Sequence, residues 1–125
     1  MELLLLEQTV DTPHVMLDPA NGILKFSGKS LPEDVDEFYL PLETWIREYI
    51  KYPRKNLTVN FKMDYFNTAS LKKILDILSL VKNLSTTGTK VVIKWNYKNG
   101  DDGMKEAGEE LQEIVEMPFE LVEYN

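Results

Sequence analysis

Cysteine is absent from the 125-residue chain, which excludes a disulfide framework, a thiolate zinc site and a cysteine nucleophile, and fits a reducing compartment. Histidine occurs once, at His14, and a lone imidazole without neighbouring ligands is assigned no catalytic part. Cations are outnumbered: 14 Lys and Arg against 21 Asp and Glu leave a formal charge of −7. That balance argues against nucleic acid as a partner, because affinity for a phosphate backbone comes from clustered cations. No glycine spacing matches the dinucleotide or Walker patterns. Ser27 and Ser30 lie near Gly28 but lack the strand-to-helix elbow that presents a hydrolase nucleophile. Long apolar runs are missing too. Leu3 to Leu6 is flanked by glutamates and is far too short for a signal peptide or a membrane span. These absences describe a non-enzymatic cytoplasmic protein with no cofactor, no metal and no membrane partner.

What is present suffices for one core. With 43% hydrophobic residues in 125, residues 1–125 are expected to form a single domain. Its organising stretch is Leu57 to Leu84. Leu57, Val59, Phe61, Met63 and Tyr65 alternate with Thr58, Asn60, Lys62 and Asp64, the two-residue period of a strand with one face buried. At Asn67 the period changes. Leu71, Ile74, Leu75, Leu78 and Val81 recur at helical spacing and predict a helix laid on the sheet. Val91, Ile93, Trp95 and Tyr97 then alternate with Lys90, Val92, Lys94 and Asn96 as a second strand, giving a parallel strand–helix–strand crossover.

The flanks add to this unit. Leu3 to Gln8 reads as a strand, and Val15–Leu17 with Ile23–Phe26 reads as a hairpin turned by Asp18-Pro19-Ala20-Asn21-Gly22. Ser27 to Asp34 reads as a polar loop leading to a helix with Phe38, Leu42, Trp45, Ile46 and Tyr49 on one stripe and a Glu43–Arg47 pair on its wet side. Pro41 implies that this helix starts late or bends, and Tyr52 to Asn56, with Pro53, ends it. Gly88 suits the carboxyl-terminal cap of the organising helix. A third helix carries Met104, Ala107, Leu111 and Val115 inward, with Gly108 implying a close approach of backbones, and Phe119 to Val122 is a last strand. The fold class is therefore α/β: a mixed β-sheet with helices mainly on one face, because sheets covered on both faces have strands of unbroken apolar residues.

Candidate chemistry gathers at the switch from strand to helix, Asn67-Thr68-Ala69-Ser70. Asn67 or Thr68 can cap the helix by accepting from a free backbone N–H. The same hydroxyls sit where the helix dipole favours an anion, so phosphorylation of Thr68, with Lys72 nearby, is the alternative reading. The acidic series Asp101, Asp102, Glu106, Glu109, Glu110, Glu113 and Glu116 scatters around its helix. It reads as a solvated face and less well as a divalent-cation site. Trp95 and Tyr97 read first as packing residues and second as an aromatic ligand platform.

Tyr65-Phe66-Asn67-Thr68-Ala69-Ser70, with Gly28 to Glu33, Phe38-Tyr39 and Trp45 before it and Trp95-Asn96-Tyr97, Asp101-Asp102 and Met104 to Gly108 after it, resembles the SiaC family of regulatory phosphoproteins over nearly the whole chain. Leu71 departs from the polar residue expected after Ser70. The resemblance implies a STAS-like fold and partner switching. It implies Thr68 as phosphoacceptor, flanked by Tyr65, Phe66, Asn67, Ser70 and Lys72 as the partner-binding surface. It further implies a dedicated serine/threonine kinase, a PP2C-type phosphatase and a diguanylate cyclase that the unphosphorylated form activates, controlling cyclic di-GMP and biofilm growth. The alternatives are an anti-sigma-factor-antagonist type of binding module with another effector, and a small hydrolase built on the acidic helix.

Overall fold

The computed structural model describes residues 1–52 and 54–125; Pro53, part of the expected helix stop, lies outside them. In chain order the elements are β1 (Leu4–Leu6), β2 (His14–Asp18), β3 (Ile23–Ser30), α1 (Val35–Tyr49), β4 (Asn56–Phe66), α2 (Thr68–Ser85), β5 (Lys90–Lys98), α3 (Asp102–Val115) and β6 (Phe119–Tyr124). The strands form one mixed sheet in sequential order, antiparallel from β1 to β3 and parallel from β3 to β6. Three successive parallel steps in one direction, each with a helix between, place the helices on one face when all share the usual right-handed crossover.

Alternation decides what each face carries. Leu6, Val15, Phe26, Phe61, Trp95 and Leu121 cross the sheet in register beneath the helices. Phe26 stacks on Phe61 at 5.0 Å between ring centroids and Phe61 meets Trp95 at 5.4 Å. On the other face Leu5, Met16, Lys25, Asn60, Lys94 and Glu120 share one row. Among the described residues no helix covers that face. The core lies between sheet and helices, where Leu42, Ile46 and Tyr49 of α1 and Ile74, Ile77, Leu78, Val81 and Leu84 of α2 are buried.

Several expectations change under tertiary constraint. The segment read as a loop from Ser27 is still β3 as far as Ser30, because it pairs with β4. The pairing slips between Gly28 and Lys29, so Met63 faces Gly28, Tyr65 faces Lys29, and Asp64 is the extra residue. Gly28 sits there with φ +100, a conformation most side chains avoid. The slip ends the alternation, leaving Tyr65 exposed at 48% and turning Phe66 toward Trp95. Helix α1 starts before Pro41 and runs through it, capped by Asp34, whose Oδ1 accepts from Glu37 N at 3.0 Å. Glu43 is buried instead of wet, with Lys73 Nζ at 3.7 Å and Arg47 Nη2 at 4.0 Å. Helix α2 is capped at its end by Thr86, and Gly88 falls beyond it. The first strand is shorter than expected and the last one longer.

Gly108 is explained by a ring and not by a neighbouring backbone. A Cβ there would lie 2.7 Å from Trp95 Nε1 and 2.8 Å from Trp95 Cγ. The indole occupies that space and donates to the Met104 carbonyl at 2.8 Å. Trp95 is fully buried, which removes it as an aromatic platform.

Candidate functional site

The junction between β4 and α2 is built from a short polar connection held on both sides. Asn67 is extended (φ −85, ψ 175), and its Oδ1 accepts from Ser70 N at 2.9 Å. Its backbone carbonyl accepts from Leu71 N at 2.9 Å, and its own N–H donates to the Ser30 carbonyl at 3.1 Å. Asn67 is thus the cap. Thr68 is relieved of that task, and as the first helical residue it is exposed.

The amides of Thr68 and Ala69, the first two of the helix, lie outside the helix's own hydrogen-bond ladder. The first turn of α2 carries no acidic residue. By contrast, α1 has Asp36 and Glu37 in its first turn, and α3 has Asp102 there behind the Asp101 cap. Of these three helix starts, α2 alone leaves its positive end uncompensated, and it is the one with a threonine hydroxyl on it. Lys72, four residues on and on the same face of α2, is exposed as well.

Two residues beyond Thr68 the situation reverses. Ser70 is completely buried. Ser30 Oγ donates to Ser70 Oγ at 2.8 Å and lies 2.7 Å from Tyr39 Oη. Since the Ser30 proton goes to Ser70, the Tyr39 hydroxyl donates to Ser30, and the three form a chain from α1 through β3 to α2. Burial pushes the Tyr39 hydroxyl above its usual pKa, against the opposing effect of the Ser30 and Ser70 hydrogen bonds. Ser70 therefore belongs to the support of the junction, which corrects its assignment to a partner-binding surface. The other flanking residues differ among themselves: Tyr65 and Lys72 are open, while Phe66 and Asn67 are half-buried.

A second tie joins the first turn of α1 to the second turn of α2. Lys73 Nζ lies 2.8 Å from Asp36 Oδ1. The hydrogen bond from Lys73 is the main reason that the Asp36 carboxyl is held below the usual carboxylate range, and Lys72 adds to it. Lys73 is raised in turn, first by its bond to Asp36. Neither the Lys73 tie nor the buried hydroxyls could be read from spacing, because each needs α1 and α2 side by side. The only signal was the density of hydroxyls in both Ser27–Ser30 and Thr68–Ser70.

Among the described residues the acidic residues of α3 do not gather into one site, and Glu116, just past the helix, lies 3.8 Å from Lys82 Nζ. Asp101 Oδ1 accepts from Met104 N at 3.1 Å as that helix's cap. Among the described residues no cluster of three or more His, Asp or Glu could hold a metal ion, and no helix is long and apolar enough to cross a membrane.

Fold and site together define a mixed α/β domain with an accessible threonine hydroxyl on a helix start that carries no acidic residue. Comparison with known proteins makes this specific. Residues 6–124 match the model of the SiaC family regulatory phosphoprotein, and the chain belongs to that family. It is a regulatory phosphoprotein and not an enzyme, so the hydrolase alternative falls. An uncharacterised protein of Pseudomonas aeruginosa strain UCBPP-PA14 is 28% identical over 113 residues, 90% of each chain. The crystal structure of apo-SiaC from Pseudomonas aeruginosa is 28% identical, superposes with a TM-score of 0.89, and is matched over 98% of this chain and 99% of that one. SiaC in the crystal structure of the diguanylate cyclase SiaD in complex with its activator SiaC, from the same organism, is 27% identical. Its TM-score is 0.90, over 97% of this chain and 99% of that one.

Proposed function

We propose that Thr68 is the phosphoacceptor of this chain and that the unphosphorylated protein binds and activates a diguanylate cyclase. The observation that carries this reading is the exposed Thr68 hydroxyl on the one helix start without a compensating carboxylate. A phosphate there brings roughly −1.5 to −2 charges and three acceptor oxygens. It meets the free first-turn amides and the positive end of the helix, so it is tolerated without melting α2. It also changes the charge of the surface that Tyr65 and Lys72 expose beside it. A partner that docks on the neutral junction then meets a dianion, and binding is lost by repulsion and obstruction together.

A serine/threonine kinase and a PP2C-type phosphatase set the two states. Residues 1–125 act as a single cytoplasmic domain throughout. Support for the cyclase as effector comes from the activator role that SiaC has in the complex with SiaD. The test is cyclic di-GMP production by the purified cyclase from the same genome, with the chain added either unmodified or phosphorylated on Thr68. Activation by the unmodified form and its loss on phosphorylation is the expected result. Equal activation by both forms contradicts the switch, and activation by neither contradicts the effector.

A further inference from the structure

At the other end of β4 from Thr68 lies a small polar pocket, where the β2–β3 turn, the last residue of α1 and the chain entering β4 meet. Pro19, Gly22, Tyr49, Arg54, Lys55 and Asn56 line it, around a volume of about 240 Å³. Two donors there are buried without an acceptor: neither the Tyr49 hydroxyl nor Arg54 Nε has a hydrogen-bond partner among the described residues. Buried donors are almost always paired, because an unpaired one has given up its bond to water for nothing. Tyr49 is completely buried. Burial pushes its hydroxyl above the usual pKa, with Arg54 opposing and Asp18 adding to the rise, so at neutral pH it keeps its proton and can donate it.

The donors are held in place. The Arg54 guanidinium lies over the Tyr49 ring, 4.5 Å from its centroid, and Nη1 reaches the Pro19 carbonyl at 3.4 Å, which leaves the Nε side of the fork open. The Arg54 backbone is clamped by the buried Thr89, whose Oγ accepts from Arg54 N at 3.1 Å and donates to the Arg54 carbonyl at 2.5 Å. Gly22, with φ +64, keeps the space clear: a Cβ there would lie 2.8 Å from the Asn56 carbonyl oxygen and 3.7 Å from the Tyr49 hydroxyl. Charge at this end runs against the net −7 of the chain. Lys55 is exposed beside Arg54, and Lys90 faces Asn56 across β4 and β5. The acids nearby are engaged elsewhere. Glu48 is bound to Lys51 at 2.8 Å, and Asp18 holds its own turn, Oδ1 accepting from Ala20 N and Asn21 N and Oδ2 from Asn21 Nδ2. Among the described residues no carboxylate lies within 4.0 Å of the Arg54 guanidinium.

We infer that this pocket binds a phosphate group, as the free ion or as the end of a small phosphate monoester. One phosphate oxygen accepts from Arg54 Nε, another from the Tyr49 hydroxyl, and Lys55 brings a second cation from the rim. A guanidinium edge is suited to two oxygens of an oxyanion, and its charge makes those hydrogen bonds stronger than neutral ones. A carboxylate, with two oxygens and a single charge, satisfies fewer of these donors than phosphate does. The pocket and Thr68 sit at opposite ends of β4, so the inference stands apart from the modification of Thr68 and from any protein partner.

The test is a titration of the full chain with inorganic phosphate at constant ionic strength, read by backbone amide NMR shifts and by the unfolding midpoint. Saturable shifts at Asn21, Gly22, Lys55 and Asn56 and a raised midpoint are expected. Tyr49→Phe removes only the unpaired hydroxyl, so without phosphate it should unfold at the wild-type midpoint or above it, while its phosphate Kd rises about tenfold. Arg54→Gln should weaken binding about tenfold or more. Methyl phosphate separates the two sources: tighter binding than inorganic phosphate assigns the pocket to an ester, and weaker binding assigns it to the free ion. The inference is overturned if neither compound gives saturable shifts at these amides, or if both variants bind phosphate like the wild type. Acetate binding as tightly as phosphate also overturns it, as do shifts confined to the first turn of α2.

Discussion

Two of the sheet's three strand-to-helix junctions, β4 into α2 and β5 into α3, are finished in opposite ways. At α3 the cap is Asp101 and the first turn adds Asp102, so the helix dipole is met by the protein's own carboxylates. Trp95 fills the space beneath against Gly108 and ties itself to the Met104 carbonyl. At α2 the cap is the neutral Asn67, the first turn has no acid, and the support beneath is a chain of hydroxyls from Ser70 to Tyr39. One junction is electrostatically complete and apolar below; the other is left open to an anion and is polar below. The difference shows how one architecture closes one helix start with its own carboxylates and leaves another open.

The largest effect should come from removing the support under α3. Trp95→Ala takes away a fully buried indole and its hydrogen bond, and about 3–5 kcal/mol of stability should be lost, measured by denaturant unfolding at unchanged m-value. Under α2 the corresponding variant is Ser30→Ala. It strands the buried hydroxyls of Tyr39 and Ser70, and the expected loss is about 1–3 kcal/mol. Equal losses at the two sites would erase the distinction between apolar and polar support.

Exchanging the caps tests the electrostatic half. Asn67→Asp should keep or raise stability by about 0.3–1 kcal/mol, because it places a carboxylate on an uncompensated helix start. The same variant should slow phosphorylation at Thr68 by putting a like charge beside the incoming phosphate. Asp101→Asn should cost a few tenths of a kcal/mol and leave phosphorylation untouched. Acid unfolding sharpens this further through the Lys73 tie. The folded Asp36 carboxyl is held below its unfolded value by Lys73, so its contribution is present above the unfolded aspartate range near about 4. That contribution disappears as pH falls through the lower folded value. Asp36→Asn should therefore flatten the acid limb of the stability curve below about pH 4 and change stability at neutral pH only slightly, as expected of an exposed, solvent-screened pair.

Much of this was legible in the chain. The alternation in β4 and β5, the stripe of α2, the hairpin turn and the crossover follow from local periodicity, and the resemblance placed the motif around Thr68. The residues that escaped are those whose setting is decided by distant partners. Ser27 to Ser30 has loop-like composition, yet pairing with β4 makes it strand. The slipped register at Gly28 and Lys29 turned Tyr65 outward against its alternation. Ser70 looks like any exposed hydroxyl at a helix start until α1 brings Tyr39 and β3 brings Ser30 to it. Glu43 pairs with Arg47 at the expected spacing, but the adjoining Lys73 of α2 draws it into the interface.

The central claim is tested most directly by intact-mass measurement and site mapping after incubation with the kinase from the same genome. One phosphate should be gained, located on Thr68, absent from Thr68→Ala and removed by the PP2C-type phosphatase. A phosphate on another residue, or one retained in Thr68→Ala, would contradict it.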